Sequence, residues 1–376
     1  MSGVRRLCGP EAAAEAWSRC WSRPDPPPEL LLLLAATETA AVEGISAAGA
    51  TPASRRQTAA ADAELLLLGP TGERPHALPP LPAGVSPALI SQVVVEALAL
   101  EPLVLDLGCA LAPAVPHLRL SAPAAGGPTA CLSGGAALPP ARVAGLLALG
   151  LRWGERLARQ GRPLLLAECV PGGTTTAQAV LTGLGLVAEG LVSGSLRQPV
   201  HGLKARLVRQ GLAAAQLPPD APPEAVLAAI GDAMQPLAAG LTLGAAGAGL
   251  PVLLAGGSQM AAVLALALAL APPGRRIRLA AHAAVVTTAW VAQEPDSDLE
   301  TLLARIGAHW RVEPLAFCCD LRFGPACHPA LRDYERGFVK EGVGAGGLAL
   351  LWQLRGRSPE DLAAACDRAC RRLLGG

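Results

Sequence analysis

The feature that most constrains this chain is a recurring unit: a short, wholly apolar run, a turn with glycine or threonine, and a longer segment rich in alanine and leucine. The apolar runs cover residues 31–36, 103–107, 163–167 and 252–255, with 65–68 as a further candidate. The longer segments cover residues 88–100, 140–160, 176–190 and 259–271. Apolar runs without polar alternation are typical of strands buried on both faces, and the longer segments suit helices. This alternation predicts a three-layer α/β fold with a mainly parallel sheet.

The composition agrees with a chain that folds around a large core. Of its 376 residues, 51% are hydrophobic but only 3% are aromatic, so alanine, leucine and valine must build that core. A charged fraction of 16% excludes disorder over most of the length, because disordered chains are more polar. The formal net charge of +1 shows no basic excess, so no nucleic-acid partner is expected.

The most apolar stretch, residues 251–271, is long enough to span a bilayer, which takes roughly 20 residues. A Gly-Gly-Ser-Gln sequence interrupts it at 256–259, and Pro-Pro-Gly follows it. A strand, a glycine turn and a buried helix therefore explain the stretch better than a membrane span. The first residues contain no continuous apolar segment, so a secretory signal is not expected either.

The ten cysteines follow no regular spacing, and no C-x-x-C pattern occurs among them. Neither a disulfide framework nor a zinc or redox site is expected from such a distribution. The cysteines are better explained as reduced thiols that fill gaps in the core of a cytoplasmic protein. We expect no metal and no cofactor.

Two regions are expected along the chain. Residues 1–28 read as a short helix followed by a stiff spacer, because prolines recur at 24 and 26–28. Residues 29–376 read as a single α/β domain, to which the helices from the chain ends add a small helical subdomain. The proline-rich stretch 217–225 reads as a surface crossover before the next helix.

In open parallel sheets, ligands bind beyond the carboxyl ends of the strands, so the loops there are the places to search for chemistry. The run 164–167 leads into an acidic residue, two glycines and three threonines that open a helix. Glycines, a helix N-terminus and hydroxyl donors together form a good phosphate cradle, although a capped helix after a tight turn is the alternative. The P-loop lysine is missing, which disfavours nucleoside-triphosphate hydrolysis. The candidate residues are Glu168, Gly172, Gly173, Thr174, Thr175 and Thr176.

Three other loops carry weaker signals. Gly256, Gly257 and Ser258 repeat the strand–glycine–helix pattern, for which a plain turn is sufficient. Thr37 and Glu38 follow the first apolar run, with binding and structural roles about equally supported. The segment 337–347 sets Glu341 among glycines that include Gly342 and Gly344, so this carboxylate could face a cleft as a general base. From this segment alone, a solvated glutamate is the simpler explanation.

Taken together, the segments resemble the nicotinate-nucleotide:dimethylbenzimidazole phosphoribosyltransferase family of cobalamin assembly. That family has a G-E-M-G-I-G-N-T-T-like loop, to which residues 168–175 (ECVPGGTT) are similar. It also has a late G-E-G-T-G-A motif with the catalytic base, to which residues 340–345 (KEGVGA) are similar. The fuller resemblance, in residues 37–64, 168–185 and 337–347, is to a divergent branch from archaea and cyanobacteria, and it runs over most of residues 30–355.

This resemblance implies transfer of a phosphoribosyl group from nicotinate mononucleotide to an aromatic base, giving the lower-ligand nucleotide of a cobamide and releasing nicotinate. Glu341 would be the general base. The loop 172–176 would hold the phosphate, with help from Lys204, and residues 256–259 would line the base pocket. The family forms homodimers, so a homodimer is expected. A non-catalytic nucleotide- or phosphate-binding protein of the same fold is the alternative, and a dinucleotide-dependent oxidoreductase is a weaker one because no G-x-G-x-x-G follows the first run.

Overall fold

The computed structural model describes residues 4–120, 126–198 and 200–375. Within these residues eight strands form one sheet, in the order β1-β8-β7-β6-β5-β2-β3-β4. All neighbouring strands are parallel except β1, which pairs with β8 in the antiparallel direction. The strands are β1 Val4–Cys8, β2 Glu29–Leu34, β3 Pro102–Asp106, β4 Leu118–Arg119, β5 Leu164–Cys169, β6 Val252–Ala255, β7 Ala283–Thr287 and β8 Leu315–Cys319.

Helices cover both faces of this sheet and complete a three-layer α/β fold. The short 3-10 helices are Glu38–Ala41 and Leu132–Gly134. The α-helices are α1 Glu11–Ser22, α2 Pro52–Arg55, α3 Thr58–Leu68, α4 Ala88–Ala97, α5 Pro140–Gln160, α6 Gly173–Gly183, α7 His201–Ala215, α8 Pro223–Ile230, α9 Met234–Gly247, α10 Ser258–Leu270, α11 Pro273–His282, α12 Ala289–Ala292, α13 Leu299–Trp310, α14 Pro329–Arg332, α15 Ala345–Leu354 and α16 Pro359–Leu374.

The alternation of side chains along β2 explains why the apolar runs are apolar throughout. Leu31 and Leu33 join the core beneath α5, α6, α9 and α10. Leu30, Leu32 and Leu34 join a second core beneath α1, α3, α4 and α15. Successive side chains of a strand point to opposite faces, so a strand between two helical layers has no polar side. The predicted fold class is therefore confirmed.

The predicted strands 31–36, 103–107, 163–167 and 252–255 correspond to β2, β3, β5 and β6, and the predicted helix 140–160 is α5. The candidate strand at 65–68 is wrong, because these leucines form the last turns of α3. The alanine-rich segment before them continues the helix without interruption until Gly69, which has a φ of 76°. Strands β1, β4, β7 and β8 were not predicted.

The N-terminal segment contains a strand as well as the predicted helix. β1 pairs with β8 from Val4 opposite Cys319 to Cys8 opposite Ala316. The helix α1 then packs on the sheet, where Trp17 stacks on Phe317 with 5.0 Å between the ring centroids. Residues 4–28 therefore contribute to both the sheet and its covering layer.

Helices α5 and α9 approach each other closely through four glycines. A Cβ atom on Gly150 would lie 2.4 Å from the carbonyl oxygen of Leu237, and one on Gly154 would lie 2.4 Å from that of Leu241. The reciprocal atoms on Gly240 and Gly244 would also lie 2.4 Å from backbone oxygens of α5. Any side chain at these four positions would separate the helices, so this layer depends on glycine.

The apolar stretch 251–271 forms β6, a Gly-Gly turn and α10, as predicted. All ten residues from Met260 to Ala269 lie in α10, and most are buried in the core on one side of the sheet. Across the described ranges, none of the helices combines the length and apolar composition that crossing a membrane would require.

The order of the strands determines where loops can diverge. From β2 the chain continues outward to β3 and β4, then returns to place β5 on the other side of β2 and continues through β6, β7 and β8. The loops that follow β2 and β5 therefore leave the sheet in different directions. Such a switch point leaves a crevice at the carboxyl ends of the strands.

Candidate functional site

A cavity of ≈ 330 Å³ lies at this edge of the sheet. Its volume falls in the range typical of small-molecule sites. Helix α3 forms part of its wall, and the remaining wall consists of residues 46–48, 78–81, 84–87, 168–174, 193–195, 257–259 and 339–343 together with Val291 and Leu374. The two glycine-rich segments selected from the sequence, around Glu168 and Glu341, therefore meet at one cavity.

The carboxylate of Glu341 is held by four hydrogen-bond donors. Its Oε1 accepts from the backbone N–H groups of Gly342 (3.1 Å) and Gly346 (3.0 Å). Its Oε2 accepts from the Thr287 hydroxyl and the Thr288 N–H, both at 2.9 Å. Burial raises the pKa of Glu341 above its usual value, and the four hydrogen bonds act against that rise because they favour the charged form.

The backbone around Glu341 adopts an unusual conformation. Val339, Lys340 and Val343 have φ values of 66°, 61° and 53°, in the left-handed region that β-branched residues in particular avoid. The N–H of Val343 donates to the carbonyl oxygen of Glu168 at 2.8 Å. Strained residues persist only where the surroundings hold them, and they concentrate at functional sites.

Glu168, near the end of β5, is buried, and its carboxyl group accepts few hydrogen bonds. Its Oε2 accepts from the N–H of Val170 at 3.1 Å, and Gln259 supplies a side-chain hydrogen bond. Burial and the nearby charges of Glu341 and Asp232 raise the pKa of Glu168 to about 8, so this carboxyl group is mainly protonated at neutral pH. The cavity therefore has two carboxyl groups on adjacent loops in different environments.

The threonines of the predicted phosphate cradle are only partly available. Thr175 and Thr176 have no exposed surface. The hydroxyl of Thr176 donates to Asp232 Oδ2 at 2.5 Å, inside the protein, and burial raises the pKa of Asp232 to about 6. Gly172, Gly173 and Thr174 border the cavity. The helix start thus offers backbone groups and one threonine rather than three hydroxyls.

Two buried lysines lie behind the loop 193–196. The Nζ of Lys204 donates to the carbonyl oxygen of Ser193 at 2.5 Å. The Nζ of Lys340 donates to Glu294 Oε1 at 2.5 Å and to the carbonyl oxygen of Leu196 at 2.7 Å. Burial lowers the pKa of Lys204 to about 7 and also lowers that of Lys340. Because two lysines share one glutamate, this part of the site, which we call the cationic end, favours an anion.

The loop of the cationic end is joined to the start of α10. The N–H of Ser193 donates to the Ser258 hydroxyl at 3.0 Å, and the Ser193 hydroxyl donates to Glu294 Oε2 at 2.5 Å. Ser195 contacts a third segment, since its hydroxyl accepts from the N–H of Ala47 at 2.8 Å. Segments from three parts of the chain therefore close this side of the cavity.

A separate part of the wall carries Asp62 of α3. Its Oδ1 accepts from the Ser86 hydroxyl at 2.5 Å, and its Oδ2 accepts from the Cys169 thiol at 3.4 Å. We call these three residues the acidic wall. Sequence reasoning missed Asp62, although the residue lies in the segment 37–64 that carries the family resemblance. A lone aspartate in an alanine-rich helix looks like an exposed helix charge, and only its burial shows otherwise.

The structure brings most of the predicted site residues to the cavity. Those that line it are Glu168, Gly172, Gly173, Thr174, Gly257, Ser258, Glu341 and Gly342. Those that do not are Thr175, Thr176, Lys204, Gly256 and Gly344. The last of these packs against β5, where its Cβ would lie 2.6 Å from that of Ala167. Glu38 lies elsewhere, in an ion pair with Arg56 at 2.6 Å.

The cysteines and histidines do not add a metal centre to this description. Over residues 4–120, 126–198 and 200–375, no group of three or more His, Cys, Asp or Glu side chains is arranged to hold a metal ion. All ten cysteines are free thiols. Cys318 and Cys319 lie in β8, and Cys366 and Cys370 lie in α16, where all four are buried in apolar surroundings.

Comparison with known proteins gives a consistent result. A family model described as phosphoribosyltransferase matches residues 89–292. A UPF0284 protein of Prochlorococcus marinus (strain MIT 9313) is 54% identical over 370 residues, which is 97% of this chain and 91% of that protein. Another from Gloeobacter violaceus is 50% identical over 333 residues, which is 88% of this chain and 84% of that protein.

A solved structure from Thermus thermophilus shares the fold. It is a nicotinate-nucleotide-dimethylbenzimidazole phosphoribosyltransferase, 25% identical in sequence, with a TM-score of 0.56. The match covers 92% of this chain and 82% of that one. With a family model that spans more than half of the chain and relatives that match nearly all of it, this chain belongs to the phosphoribosyltransferase family, in the group of the UPF0284 proteins.

Proposed function

We propose that this protein transfers the phosphoribosyl group of nicotinate mononucleotide to an aromatic base and releases nicotinate. The observation that carries the proposal is Glu341, whose carboxylate borders the cavity and is fixed there by four donors. Hydrogen bonds from backbone N–H groups hold a carboxylate in its charged form and in one orientation. A general base needs both properties, and one of the four donors must give up its hydrogen bond when the carboxylate takes a proton.

The reaction exchanges one bond at C1′ for another. The bond between C1′ and the pyridinium nitrogen breaks, and its electron pair stays on nicotinate, which leaves without needing protonation. The acceptor base forms a new bond from its ring nitrogen to C1′ and loses its N–H proton to Glu341. The transition state has oxocarbenium character, as in glycoside cleavage, so positioning and charge contribute most to the rate.

The cationic end suits the 5′-phosphate of the donor. Lys340 is paired with Glu294 and also feels the charge of Asp296, and Lys204 contacts the loop 193–195 that borders the cavity. Backbone groups of residues 172–174 and 257–258 line the same cavity. Glycine-rich loops and helix starts bind phosphate well, and the lysines would add long-range attraction. A bound dianion would in turn favour the protonated form of Lys204.

Glu168 has the complementary proton state. As the more weakly solvated carboxyl group, it holds a proton near neutrality and can donate a hydrogen bond to the donor nucleotide or the acceptor. Pairs of carboxyl groups whose environments separate their pKa values commonly divide acid and base roles. The fold shared with the Thermus thermophilus enzyme supports the same reaction class, and its named donor and acceptor guide the choice of substrates below.

The test uses purified protein, nicotinate mononucleotide and a panel of aromatic bases. We expect release of nicotinate together with a base-dependent product that mass spectrometry identifies as the base ribotide. Calorimetry of nicotinate mononucleotide with the same preparation separates the two function candidates. If nicotinate mononucleotide binds tightly but no base leads to release of nicotinate, the proposed transfer is contradicted. The alternative, a nucleotide-binding protein, then remains. The proposed homodimer is tested separately by light scattering.

A further inference from the structure

The acidic wall has no role in the transfer step described above. Asp62 is only 4% exposed, yet it borders the cavity. Its hydrogen-bond partners are the neutral hydroxyl of Ser86 and the neutral thiol of Cys169. Within the described chain, no lysine or arginine forms an ion pair with it. Burying a carboxylate without a cation costs free energy, so its presence at the cavity indicates a function.

Asp62 is held rigidly in this position. The Ser86 hydroxyl accepts from the N–H of Ala88 at 3.1 Å, so its own proton is committed to Asp62. The loop that carries Ser86 is anchored by the N–H of Gly84, which donates to Asp333 at 2.8 Å, and by the Tyr334 hydroxyl, which donates to the Val85 carbonyl oxygen at 2.8 Å. The carboxylate is therefore preorganised, and a ligand that bonds to it loses little additional free energy in ordering the site.

The chemistry of Asp62 indicates which part of a ligand it faces. A carboxylate can accept about four hydrogen bonds, and Asp62 has two from the protein. Burial raises its pKa to about 6, so the group is mainly ionised at neutral pH. A phosphate or the carboxylate of nicotinate would be repelled there. The remaining acceptor capacity suits an uncharged hydrogen-bond donor, and the acceptor base, unlike the donor nucleotide, brings no negative charge near Asp62.

We propose that Asp62 selects acceptor bases that carry a second hydrogen-bond donor, such as an exocyclic amino group, in addition to the ring N–H lost in the reaction. This inference rests on the proposed function, because it assigns the acceptor base to the acidic wall. A base without that donor would leave the buried carboxylate unpaired when it displaces water. Hydrogen bonds to a charged group discriminate about 10- to 100-fold between such ligands.

The experiment compares matched acceptors: benzimidazole with its 4- and 5-amino derivatives, and purine with 6-aminopurine. Affinity for each base is measured by calorimetry, and kcat/KM is measured with nicotinate mononucleotide as donor. We expect at least one amino derivative to be favoured about tenfold or more over its parent, and Asp62→Asn to reduce that ratio to near one. An unchanged preference in Asp62→Asn, or no preference in the unmutated protein, would overturn the proposal.

Asp232→Asn is the matched control. Asp232 is also a fully buried aspartate with a pKa raised to about 6, but it does not line the cavity. Its variant can lower affinity or rate, but the ratio between amino and parent bases should stay unchanged. The binding measurement does not require turnover, so it decides the role of Asp62 even if no base is converted and the proposed function fails. If Asp62→Asn does not fold, the absence of any preference in the unmutated protein would still overturn the proposal.

Discussion

The loops around Glu168 and Glu341 are similar in sequence, but they give their carboxyl groups different numbers of hydrogen-bond donors. Both place a glutamate near glycines at the start of a helix, and a backbone hydrogen bond from Val343 to Glu168 joins them. Glu341 accepts three N–H bonds and one hydroxyl bond, whereas Glu168 accepts one N–H bond and one side-chain bond. Burial raises the pKa of both groups; nearby negative charges raise that of Glu168 further, whereas the larger number of donors limits the rise at Glu341.

This difference comes from the positions of the glycines. After Glu341, Gly342 and Gly346 supply N–H groups to its own carboxylate, and a Cβ on Gly346 would lie 2.6 Å from Glu341 Oε2. After Glu168, the glycines at 172 and 173 turn the chain toward the cavity and away from that carboxyl group. The backbone N–H groups of a glycine-rich loop can therefore bind the carboxylate of the same loop or remain available to a ligand. The number of residues between the acid and the glycines distinguishes the two cases here.

The largest expected effect comes from Glu341→Gln. The amide keeps the size of the side chain but cannot take a proton, so kcat should fall by about 10²–10⁴. Affinity for nicotinate mononucleotide should stay near its starting value, because the phosphate is held at the cationic end. Steady-state kinetics and calorimetry measure the two quantities. A variant that turns over at the unmutated rate would move the base role to Glu168, since Glu38 lies outside the cavity.

Glu168→Gln should change how stability depends on pH. The folded-state pKa of about 8 lies above that of an unfolded glutamate, so the contribution of Glu168 is fully present at low pH and is lost as pH rises toward 8. The glutamine variant has no such loss. Its free energy of unfolding should therefore rise relative to the unmutated protein by about 2 kcal/mol between pH 5 and pH 8, since each pKa unit represents about 1.4 kcal/mol and relaxation absorbs part.

Urea unfolding at several pH values measures this difference, with Glu64→Gln as a control of opposite sign. Burial acts to raise the pKa of Glu64, but hydrogen bonds from His76 and Ala114 outweigh it and lower the pKa. The unmutated protein should therefore gain stability over Glu64→Gln as pH rises through the acid range. Parallel curves of unfolding free energy against pH for Glu168→Gln and the unmutated protein would mean that Glu168 has no raised pKa. Glu168 and Glu341 would then not differ in proton state.

Lys204→Met separates binding from chemistry. Loss of this buried cation should weaken the binding of nicotinate mononucleotide by about tenfold, because its long-range attraction for the phosphate disappears. Once the site is saturated, kcat should remain close to the unmutated value, in contrast to Glu341→Gln. Arg206→Met, an exposed cation on the same helix, is the matched control and should leave affinity unchanged. Equal affinities for all three proteins would remove the cationic end from the phosphate site.

Thr287→Val should have the smallest effect. It removes one of the four donors to Glu341, at 2.9 Å, and so lets burial raise the pKa of that carboxyl group further. The acid limb of the pH–rate profile should move to higher pH, with a loss of about threefold at neutral pH and little change at alkaline pH. A uniform loss at every pH would indicate a structural role for this threonine instead.

Much of the fold could be predicted from sequence because the central strands have simple physical requirements. The strand formed by leucines 30–34 must be apolar on both of its faces, because each face packs against a core. The strand Val252–Ala255 is bounded by a proline before it and two glycines after it. The strand β7 lies directly after α11, without a glycine or proline boundary that would separate the two periodicities. The leucines at 65–68 fit either structure, and only the continuous helix before them decides between the two.

The site could be predicted less completely, for a different reason. The two glycine-rich motifs identified both Glu168, near the end of the buried strand β5, and Glu341, in the loop before α15, as candidate site residues. They could not reveal that Thr175 and Thr176 point into the protein, because a helix start presents successive side chains in different directions. Asp62 reaches the cavity only through the packing of α3 and the loop that carries Ser86. Such tertiary contacts leave no pattern in local sequence.

The strand β1 has a consequence for the behaviour of the molecule in solution. It covers the last parallel strand, β8, and α1 lays Trp17 over Phe317. A chain shortened to begin at Glu29, the boundary that the proline run suggests, would leave the backbone groups of β8 unpaired and uncover apolar surface beside them. Exposed strands of this kind recruit further copies and lead to aggregation. Residues 4–28 thus act against aggregation through the edge of β8, far from the chemistry.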